Sequence, residues 1–555
     1  MSRRKENVAF AASLTVIALA LCVRALYGFC WSDESFYLTF AQRLWNGQKL
    51  ILDEWHPVQF YSALSYPILT VYRFFFGTTG IYLFARILYL ALAYGVSLLV
   101  YFTFCTRAKP LPSFFCGCMV LAYSRGNIWG LSYYNLFFLL VLTAFCLWAR
   151  GRGKWWFCIL CGVSLGFSVL CVPYFAVFVL AALAFGIARK ESRKDALWAL
   201  GGICLSAAYF LIFFLPNDLG AVIANLRFIL SDPEHTGGAM ENLTLAIKDV
   251  KFLYYWEAGA VALSAAVLLM GWKVLPQKWG LLPGLILALA GAAFSAWRYR
   301  HGEVGFAAYS FALFCLPPLG LIWQEKKQER FSVGLRLTGI AMGLAMALSS
   351  NTEAVAFLVG VFVYSMGVIT ALWRAPEKSI RRFGLIVSCG LIAISMGKRF
   401  TDVFRDAPLN QLDTVMTQGP AAGIRTTQDH ARQYTEVFTM LEDLENRYDS
   451  DTPIFISKLM PWGYLAVDNP CGAPTAWRTA LDSQRLPQYY ESHPKSIPGI
   501  VVVLNPEIGY YDTELTPNEN HPDGWLWNYM AEEGYTCTEY PCAQVYAAPA
   551  AIRKE

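Results

Sequence analysis

The hydrophobic residues of this chain fall into long runs that short polar turns separate. A helix that crosses a membrane needs about 20 mostly apolar residues. The first run, Val8–Cys30, has this length and carries Arg24 as its one charge. Later runs predict further spans, several of them short: Ile81–Phe104, Leu111–Ser124, Tyr133–Trp148, Trp155–Val172, Tyr174–Ala188, Leu197–Pro216, Glu257–Trp272, Trp279–Trp297, Val304–Trp323, Val333–Leu348, Ala354–Trp373 and Phe383–Met396. The pattern therefore predicts a polytopic α-helical membrane protein with about 13 spans.

Composition agrees with this pattern. The chain has 555 residues, of which 56% are hydrophobic and 15% are charged, and its mean hydropathy is +0.40. A soluble domain carries roughly 25% charged residues. The basic start (Arg3, Arg4, Lys5) precedes an apolar run without a clear small-residue cleavage site, which indicates an uncleaved first span.

The distribution of lysine and arginine predicts the orientation. Cytoplasmic loops of membrane proteins are rich in these residues. With the N-terminus in the cytoplasm, the inner turns are all basic: Arg107 and Lys109; Arg150, Arg152 and Lys154; Arg189, Lys190, Arg193 and Lys194; Lys273 and Lys278; Lys326, Lys327 and Arg330; Arg374, Lys378, Arg381 and Arg382. Two short outer turns, at Arg125 and at Arg298 with Arg300, break the rule. We therefore expect a multi-pass plasma-membrane protein with a cytoplasmic N-terminus and an extracytoplasmic C-terminus.

Two regions follow from this topology. Residues 1–397 form the membrane domain, with a first outer loop at 31–80 and a second long outer loop at 217–256. Residues 398–555 form an extracytoplasmic domain in which periodicity predicts mixed α/β structure. Its predicted elements are a helix at Gln428–Arg447, strands at Pro453–Ser457 and Gly499–Leu504, and a short helix at Trp525–Glu533. Cys471, Cys537 and Cys542 would face an oxidising space, which predicts one disulfide of open pairing.

The first outer loop concentrates the chemistry. Asp33 and Glu34 open a predicted helix, Ser35–Trp45, directly after the first span. Charged residues at a bilayer edge are costly and are commonly kept for function; the alternative is that the two acids cap the helix. A second acidic pair, Asp53 and Glu54, lies beside His56. The aromatic run that follows, Val58–Phe76, is typical of a helix lying along the bilayer surface.

Several short motifs in and beyond this loop resemble a known group of enzymes. They are Asp33–Tyr37, Ala41–Gly47, His56-Pro57, Phe76-Gly77 and Ala85-Arg86. In order and spacing they are similar to the start of the GT-C membrane glycosyltransferases, in particular the protein O-mannosyltransferase and lipid A aminoarabinose transferase family. The resemblance covers roughly residues 28–90.

Two positions depart from the family pattern. Where that family carries Lys-Pro-Pro, this chain has Trp55-His56-Pro57, so a titratable group replaces a fixed positive charge. Many members also carry an acid near the fourth span, where this chain reads Ser132-Tyr133-Tyr134-Asn135. The second departure argues against a mechanism with two carboxylates or a metal bridge, although a divalent ion stays open and no metal ligand is assigned.

The resemblance implies transfer of a sugar from a polyprenyl-phosphate donor at the outer membrane face. It suggests Asp33 as the general base of an inverting hexosyl- or pentosyltransferase, with Glu34 as second choice or as the partner of the base. Donor or acceptor contacts are expected from Asp53, His56, Arg86, Asn135, Arg298, Arg300 and His301.

Each of these residues has an alternative interpretation. Asp53 and His56 suit a solvated turn, Asn135 suits a helix cap, and the 298–301 turn suits ordinary lipid headgroups. Arg86 reaches phosphate or pairs with an acid of the first loop, or else its side chain extends to the membrane interface. Arg405, with other basic residues near the last span, is read as a membrane anchor.

Other functional classes fit less well. A transporter or lipid flippase for glycolipid or cell-envelope precursors would place paired charges near the middle of its spans. A scaffold would not explain the acidic loop, and an oligosaccharyltransferase would show metal-binding acids in several outer loops. No phosphate-binding loop for nucleotides is present. The acceptor stays open between protein, lipid and cell-wall glycan, and nothing indicates nucleic acid.

Overall fold

The computed structural model describes residues 3–151, 153–215, 217–230, 238–248, 330–350, 352–374, 378–457, 459–477, 485–509 and 524–551. In residues 1–401 the described α-helices are α1 Arg3–Arg24, α2 Asp33–Trp45, α3 Ser62–Phe76, α4 Ile81–Phe104, α5 Pro110–Ala122, α6 Tyr133–Arg150, α7 Trp155–Cys171, α8 Phe175–Ala188, α9 Arg193–Leu211, α10 Leu219–Leu230, α11 Arg330–Ser349, α12 Leu358–Leu372 and α13 Lys378–Thr401.

The helices identify a helical membrane protein. Within the described residues, five are long and apolar enough to cross a bilayer: Arg4–Arg24, Ile81–Phe104, Tyr133–Arg150, Arg330–Ser349 and Val355–Leu372. Every predicted span in these residues overlaps a helix. The predicted spans Glu257–Trp272, Trp279–Trp297 and Val304–Trp323 lie outside the described residues, so the total of 13 stays a prediction.

Small residues bring neighbouring helices into close contact. A Cβ added to Gly162 of α7 would lie 1.9 Å from the carbonyl oxygen of Ala199 in α9. A Cβ added to Gly360 of α12 would lie 2.1 Å from that of Gly339 in α11. Membrane helices associate through such sites because lipid supplies no hydrophobic force between them.

The predicted second long loop, residues 217–256, is partly helical in its described residues. It contains the apolar α10, and residues 239–248 are also helical. At only 12 residues, α10 is too short to cross a bilayer. It packs on the first loop instead: Phe228 stacks on Trp55 with ring centroids 4.1 Å apart, and Asn225 Oδ1 accepts a 2.9 Å bond from Trp55 Nε1.

Residues beyond α13 combine helices with two sheets. The elements are β1 Thr414–Val415, β2 Arg425–Thr426, α14 Gln428–Arg447, β3 Ile454–Ile456, α15 Pro461–Leu465, α16 Arg485–Ser492, β4 Ile500–Leu504, α17 Trp525–Glu532, β5 Thr536–Tyr540 and β6 Ala543–Ala547. The larger sheet has the order β3-β4-β6-β5. Strands β3 and β4 are parallel and the other pairs antiparallel. These elements include all four that the sequence predicts here.

This C-terminal region lies directly against the end of the first predicted span and against the first loop. The Arg425 N–H donates to the carbonyl of Leu26 at 2.7 Å, and the Gly28 N–H donates to the carbonyl of Arg425 at 2.8 Å. Farther along the loop, the Trp55 N–H donates to Pro474 at 2.7 Å. The first loop is therefore enclosed between the membrane helices and the C-terminal region.

The predicted disulfide is not formed. Cys471, Cys537 and Cys542 are all free, and the first and last of them are buried. The Cys471 thiol points to the Ala473 carbonyl at 3.8 Å, and the Cys542 thiol lies 3.9 Å from the sulfur of Met440. Both side chains therefore act as small apolar groups in the core.

Candidate active site

The first turn of α2 directs its two acids to different surroundings. Consecutive helical residues are rotated by about 100°, so Asp33 and Glu34 cannot share one environment. The N-cap residue, Ser32, makes no side-chain capping bond to α2. Its hydroxyl donates instead to Asp33 Oδ2 at 3.0 Å.

Asp33 is partly exposed and paired with a residue from beyond the last membrane helix. Arg405 Nη1 lies 2.7 Å from Asp33 Oδ2 and donates to Ser32 Oγ at 2.7 Å. The exposed fractions are 17% for the Asp33 side chain and 27% for that of Arg405. The pair is therefore open to solvent and to a ligand.

Glu34 is buried inside the helix bundle and pairs with Arg86 of α4. The Arg86 guanidinium donates to Glu34 Oε2 through Nε at 3.1 Å and through Nη2. It also donates to the carbonyls of Ala25 and Gly28. Glu34 Oε1 accepts the Trp129 N–H at 2.9 Å. Of the alternatives for Arg86, the structure contains the ion pair with a first-loop acid.

A cavity of about 430 Å³ opens beside Asp33. Its walls come from α2, the segment before α3, the start of α6, the segments that follow α5, α11 and α13, and the C-terminal region. The lining residues are Asp33, Phe36, Tyr37, His56, Val58, Arg125, Gly126, Ile128, Tyr133, Tyr134, Ser350, Thr352, Val355, Phe404, Arg405 and Trp477. The volume suits a small ligand such as one sugar with a phosphate group.

The described lining carries more positive than negative charge, because two arginines face one carboxylate. Arg125 lies over the Tyr134 ring, with its guanidinium carbon 4.6 Å from the ring centroid. Its Nη1 donates to the Tyr133 hydroxyl at 3.2 Å. The Tyr37 hydroxyl in turn donates to that of Tyr134 at 3.2 Å. Tyrosines thus hold Arg125 in place and leave its charge without a carboxylate among these contacts.

His56 lines the same cavity from the first loop. Its ring packs edge-on against Phe36 with centroids 4.8 Å apart, and its Nδ1 accepts the Val58 N–H at 3.3 Å. The backbone N–H of His56 donates to Glu54 Oε1 at 3.0 Å. Burial raises the pKa of the Glu54 carboxyl above its usual value, although Arg43, at 3.2 Å, opposes this shift.

Asp53 and Asn135 lie outside the cavity lining. The Asp53 carboxylate accepts the Lys49 N–H at 2.6 Å and lies 4.0 Å from His493 Nε2. The buried Asn135 donates to the carbonyls of Ile128 and Gly130 at 3.2 and 2.9 Å. Asn135 therefore fixes the turn that carries Ile128 into the cavity wall. The remaining predicted residues, Arg298, Arg300 and His301, lie outside the described residues.

Several cavity residues were missed by the sequence analysis. Arg405 was read as a membrane anchor, and Arg125 only as an exception to the charge rule. That exception was the available signal, because an arginine in a short outer turn has no topological reason to be there. Nothing in the local sequence marks Ser350, Thr352 or Trp477, which reach the cavity only through the fold.

The donor set does not suit a metal ion. In the part of the chain that the structure describes, no group of three or more His, Cys, Asp and Glu side chains could hold one. Asp33 and His56 are the carboxylate and imidazole of the cavity lining. Magnesium and calcium prefer six or more oxygen ligands, so no step is assigned to a metal.

Comparison with known proteins gives structural neighbours alone. No protein-family model and no curated protein matches the chain. The archaeal oligosaccharyltransferase AglB from Archaeoglobus fulgidus, in complex with an inhibitory peptide and a dolichol-phosphate, matches 97% of this chain and 74% of its own. Its identity is 14% and its TM-score 0.40.

ArnT from Cupriavidus metallidurans matches in two states. In the apo state it covers 97% of this chain and 98% of its own, with 12% identity and a TM-score of 0.43. Bound to undecaprenyl phosphate it covers 99% of each chain, with 11% identity and a TM-score of 0.40. AglB and ArnT are both GT-C membrane glycosyltransferases, the group that the first loop resembles. Likenesses this distant do not assign an activity to this chain.

Proposed function

We propose that this chain is a membrane glycosyltransferase that moves a sugar from a polyprenyl-phosphate donor to an acceptor hydroxyl. The observation that carries the proposal is the cavity in which Asp33 meets Arg125 and Arg405. A transferase of this kind needs a proton acceptor beside groups that stabilise a departing phosphate. The lining supplies both within one space.

The two arginines are suited to the donor phosphate. Guanidinium groups bind phosphate through charge-assisted hydrogen bonds, often two at a time. Arg125 and Arg405 would neutralise the charge that develops on the phosphate as its bond to the anomeric carbon breaks. The prenyl tail would need an apolar groove in the lipid phase beside this cavity.

Asp33 is suited to general base catalysis. It is the carboxylate of the described lining, and its partial exposure leaves room for an acceptor hydroxyl. It would accept the hydroxyl proton while the oxygen attacks the anomeric carbon on the side opposite the phosphate, so the configuration would invert. Glu34 is too deeply buried for this task; we assign to it and to Arg86 the positioning of α2.

The other cavity side chains suit sugar binding. Tyr133, Tyr134 and Trp477 offer aromatic faces, and the hydroxyls of Ser350 and Thr352 offer donors and acceptors. His56 could hold the acceptor or the phosphate, whereas Asp53 and Asn135 would act by supporting their loops.

We propose for the enzyme the membrane orientation that the distribution of lysine and arginine predicts. Arg107, after α4, donates to the Ala149 carbonyl near the end of α6, whereas the cavity is lined by Tyr133 and Tyr134 at the opposite end of α6. The basic turns at the Arg107 end would lie on the cytoplasmic side, and the cavity would then face the outer side. The C-terminal region would then be extracytoplasmic.

A transfer assay tests the proposal. The purified wild type, Asp33→Asn and Asp413→Asn would each be incubated with a panel of radiolabelled polyprenyl-phosphate sugars. Asp413 is an exposed carboxylate outside the cavity and serves as the matched control. We expect wild type and Asp413→Asn to release or transfer sugar, and Asp33→Asn to be slower by roughly 10²–10⁴-fold, the usual contribution of a general base.

Three other results would contradict the proposal in different ways. Equal activity in all three proteins would show that Asp33 is not the general base but would still support a glycosyltransferase. Failure of wild type to bind any such lipid would refute the transferase. Binding followed by movement of the intact lipid across a vesicle membrane, without sugar release, would support the transporter or flippase.

A further inference from the structure

The ion pair of Asp33 with Arg405 places the proposed base and a proposed phosphate ligand in direct contact. Arg405 Nη1 occupies Asp33 Oδ2 at 2.7 Å, and Ser32 Oγ contacts the same carboxylate oxygen at 3.0 Å. Arg405 and Ser32 thus both contact Oδ2, and an adjacent positive charge stabilises the ionised form of a carboxylate. Asp33 is therefore a restrained proton acceptor in this state.

The backbone around Arg405 is fixed on both sides. Before it, the Asp402 carbonyl accepts Arg24 Nη2 at 2.7 Å. After it, Asp406 accepts the Phe29 N–H at 2.6 Å and the Thr426 hydroxyl at 2.8 Å. Arg405 itself has φ of +51°, a conformation that non-glycine residues seldom adopt. Tertiary contacts thus hold the residue where its side chain reaches the cavity, and any change of partner must come from side-chain rotation.

The contacts of the two cavity arginines differ. Arg125 is held by the hydroxyl and the ring of neutral tyrosines, so binding of a phosphate would break no ion pair there. Arg405 is held by a carboxylate that a dianionic or monoanionic phosphate can replace as partner. Because the Asp33–Arg405 pair is partly exposed, its rupture costs less than the rupture of a fully buried pair.

We infer that Arg405 exchanges Asp33 for the donor phosphate, so that donor binding itself frees the base. The inference rests on the proposed function. In the empty site the pair keeps Asp33 engaged. When the lipid phosphate enters, the guanidinium turns to it, and Oδ2, which keeps its contact with Ser32 but loses the one with Arg405, can accept the proton of the acceptor hydroxyl. The base is thereby restrained until a donor is present.

This exchange makes a prediction about lipid binding that needs no catalysis. Asp33 competes with the phosphate for Arg405, so removing the Asp33 charge should tighten binding of undecaprenyl phosphate. The dissociation constant would be measured in detergent for wild type, Asp33→Asn, Arg405→Gln and the double variant. We expect Asp33→Asn to bind about fivefold more tightly than wild type, and Arg405→Gln to bind at least tenfold more weakly.

The double variant distinguishes competition for Arg405 from a long-range effect of the Asp33 charge on phosphate binding. If Arg405 is the shared partner, Asp33→Asn has no tightening effect in the protein that also carries Arg405→Gln, because coupling in such a cycle reports the interaction itself. Arg405→Lys keeps the charge and should preserve the tightening, which covers the case in which Arg405→Gln does not fold. Lys398→Gln removes a positive charge from α13 that pairs with Asp402 at 3.2 Å and should leave binding unchanged.

Other outcomes overturn the exchange. If Asp33→Asn tightens binding equally with and without the Arg405→Gln substitution, the cause is a long-range charge effect. Unchanged or weaker binding by Asp33→Asn alone would show no competition. Either result leaves the transferase standing, provided that wild type transfers sugar. If wild type neither binds undecaprenyl phosphate nor transfers sugar, the proposed function fails and the exchange fails with it.

Discussion

Asp33 and Glu34 are neighbours in sequence, and each pairs with an arginine, but the two pairs have different surroundings. The Glu34–Arg86 pair lies inside the helix bundle, with side-chain exposures of 4% and 3%. The Asp33–Arg405 pair lies on the cavity wall, with exposures of 17% and 27%. Two acids of similar chemistry are thereby assigned to different tasks by the side of α2 on which they lie.

Burial determines what each pair can do. A buried pair resists separation, because removal of one partner leaves an uncompensated charge at low dielectric. A partly exposed pair contributes little to stability, so it can exchange partners at small cost. The first kind suits support of the fold, and the second suits binding and catalysis.

The largest effect on stability is expected from Glu34→Gln. The substitution leaves the Arg86 charge buried with carbonyls and an amide but no carboxylate, and we expect a loss of roughly 3–5 kcal/mol. Melting of the detergent-solubilised protein, followed by intrinsic fluorescence, would measure it. Asp33→Asn is the matched control and should change the melting temperature little.

Glu34→Gln and Asp33→Asn together test whether burial distinguishes the two ion pairs. If Asp33→Asn and Glu34→Gln destabilise the protein equally, burial does not distinguish the two acids. If Glu34→Gln melts like wild type but loses transfer activity, Glu34 belongs to the chemistry and the role proposed for it is wrong.

An intermediate effect is expected from Arg125→Gln. The substitution removes a guanidinium from the cavity but breaks only its contacts with Tyr133 and Tyr134. We expect the donor KM to rise about tenfold, the value of one charge-assisted hydrogen bond, while the melting temperature changes little. Steady-state kinetics with a fixed acceptor would measure this, and an unchanged KM would exclude Arg125 from donor binding.

The sequence predicted the helices better than it predicted the site. A span depends on the length of an apolar run, which is a local property, and the run Ile81–Phe104 became α4 with those same limits. The helix α10 was missed because its twelve residues, which include Asn225 and Arg227, are too few for a span. Its contacts with Trp55 join residues that lie far apart in the chain, so the local sequence does not reveal them.

The two acids show why the site was harder to predict. The acidic pair marked the correct region, and Asp33 does line the cavity. Which acid faced the cavity depended on the rotation of α2, and α2 is oriented by contacts with α4 and the C-terminal region. Arg405 looked like an anchor because the sequence places it beside a span but says nothing of the turn that brings it back over Asp33.

The smallest loss of stability is expected for an ion pair that is more exposed than the other two. Arg73 of α3 pairs with Asp468, whose side chain is 56% exposed, and Arg73 also stacks on Trp45 at 4.9 Å. Asp468→Asn keeps the stacking and removes a screened charge, so we expect a loss of under about 1 kcal/mol, reduced further at high salt. Melting curves at low and high ionic strength would measure it. A loss as large as that of Glu34→Gln would mean that the contact between the first loop and the C-terminal region, rather than burial, governs the strength of these pairs.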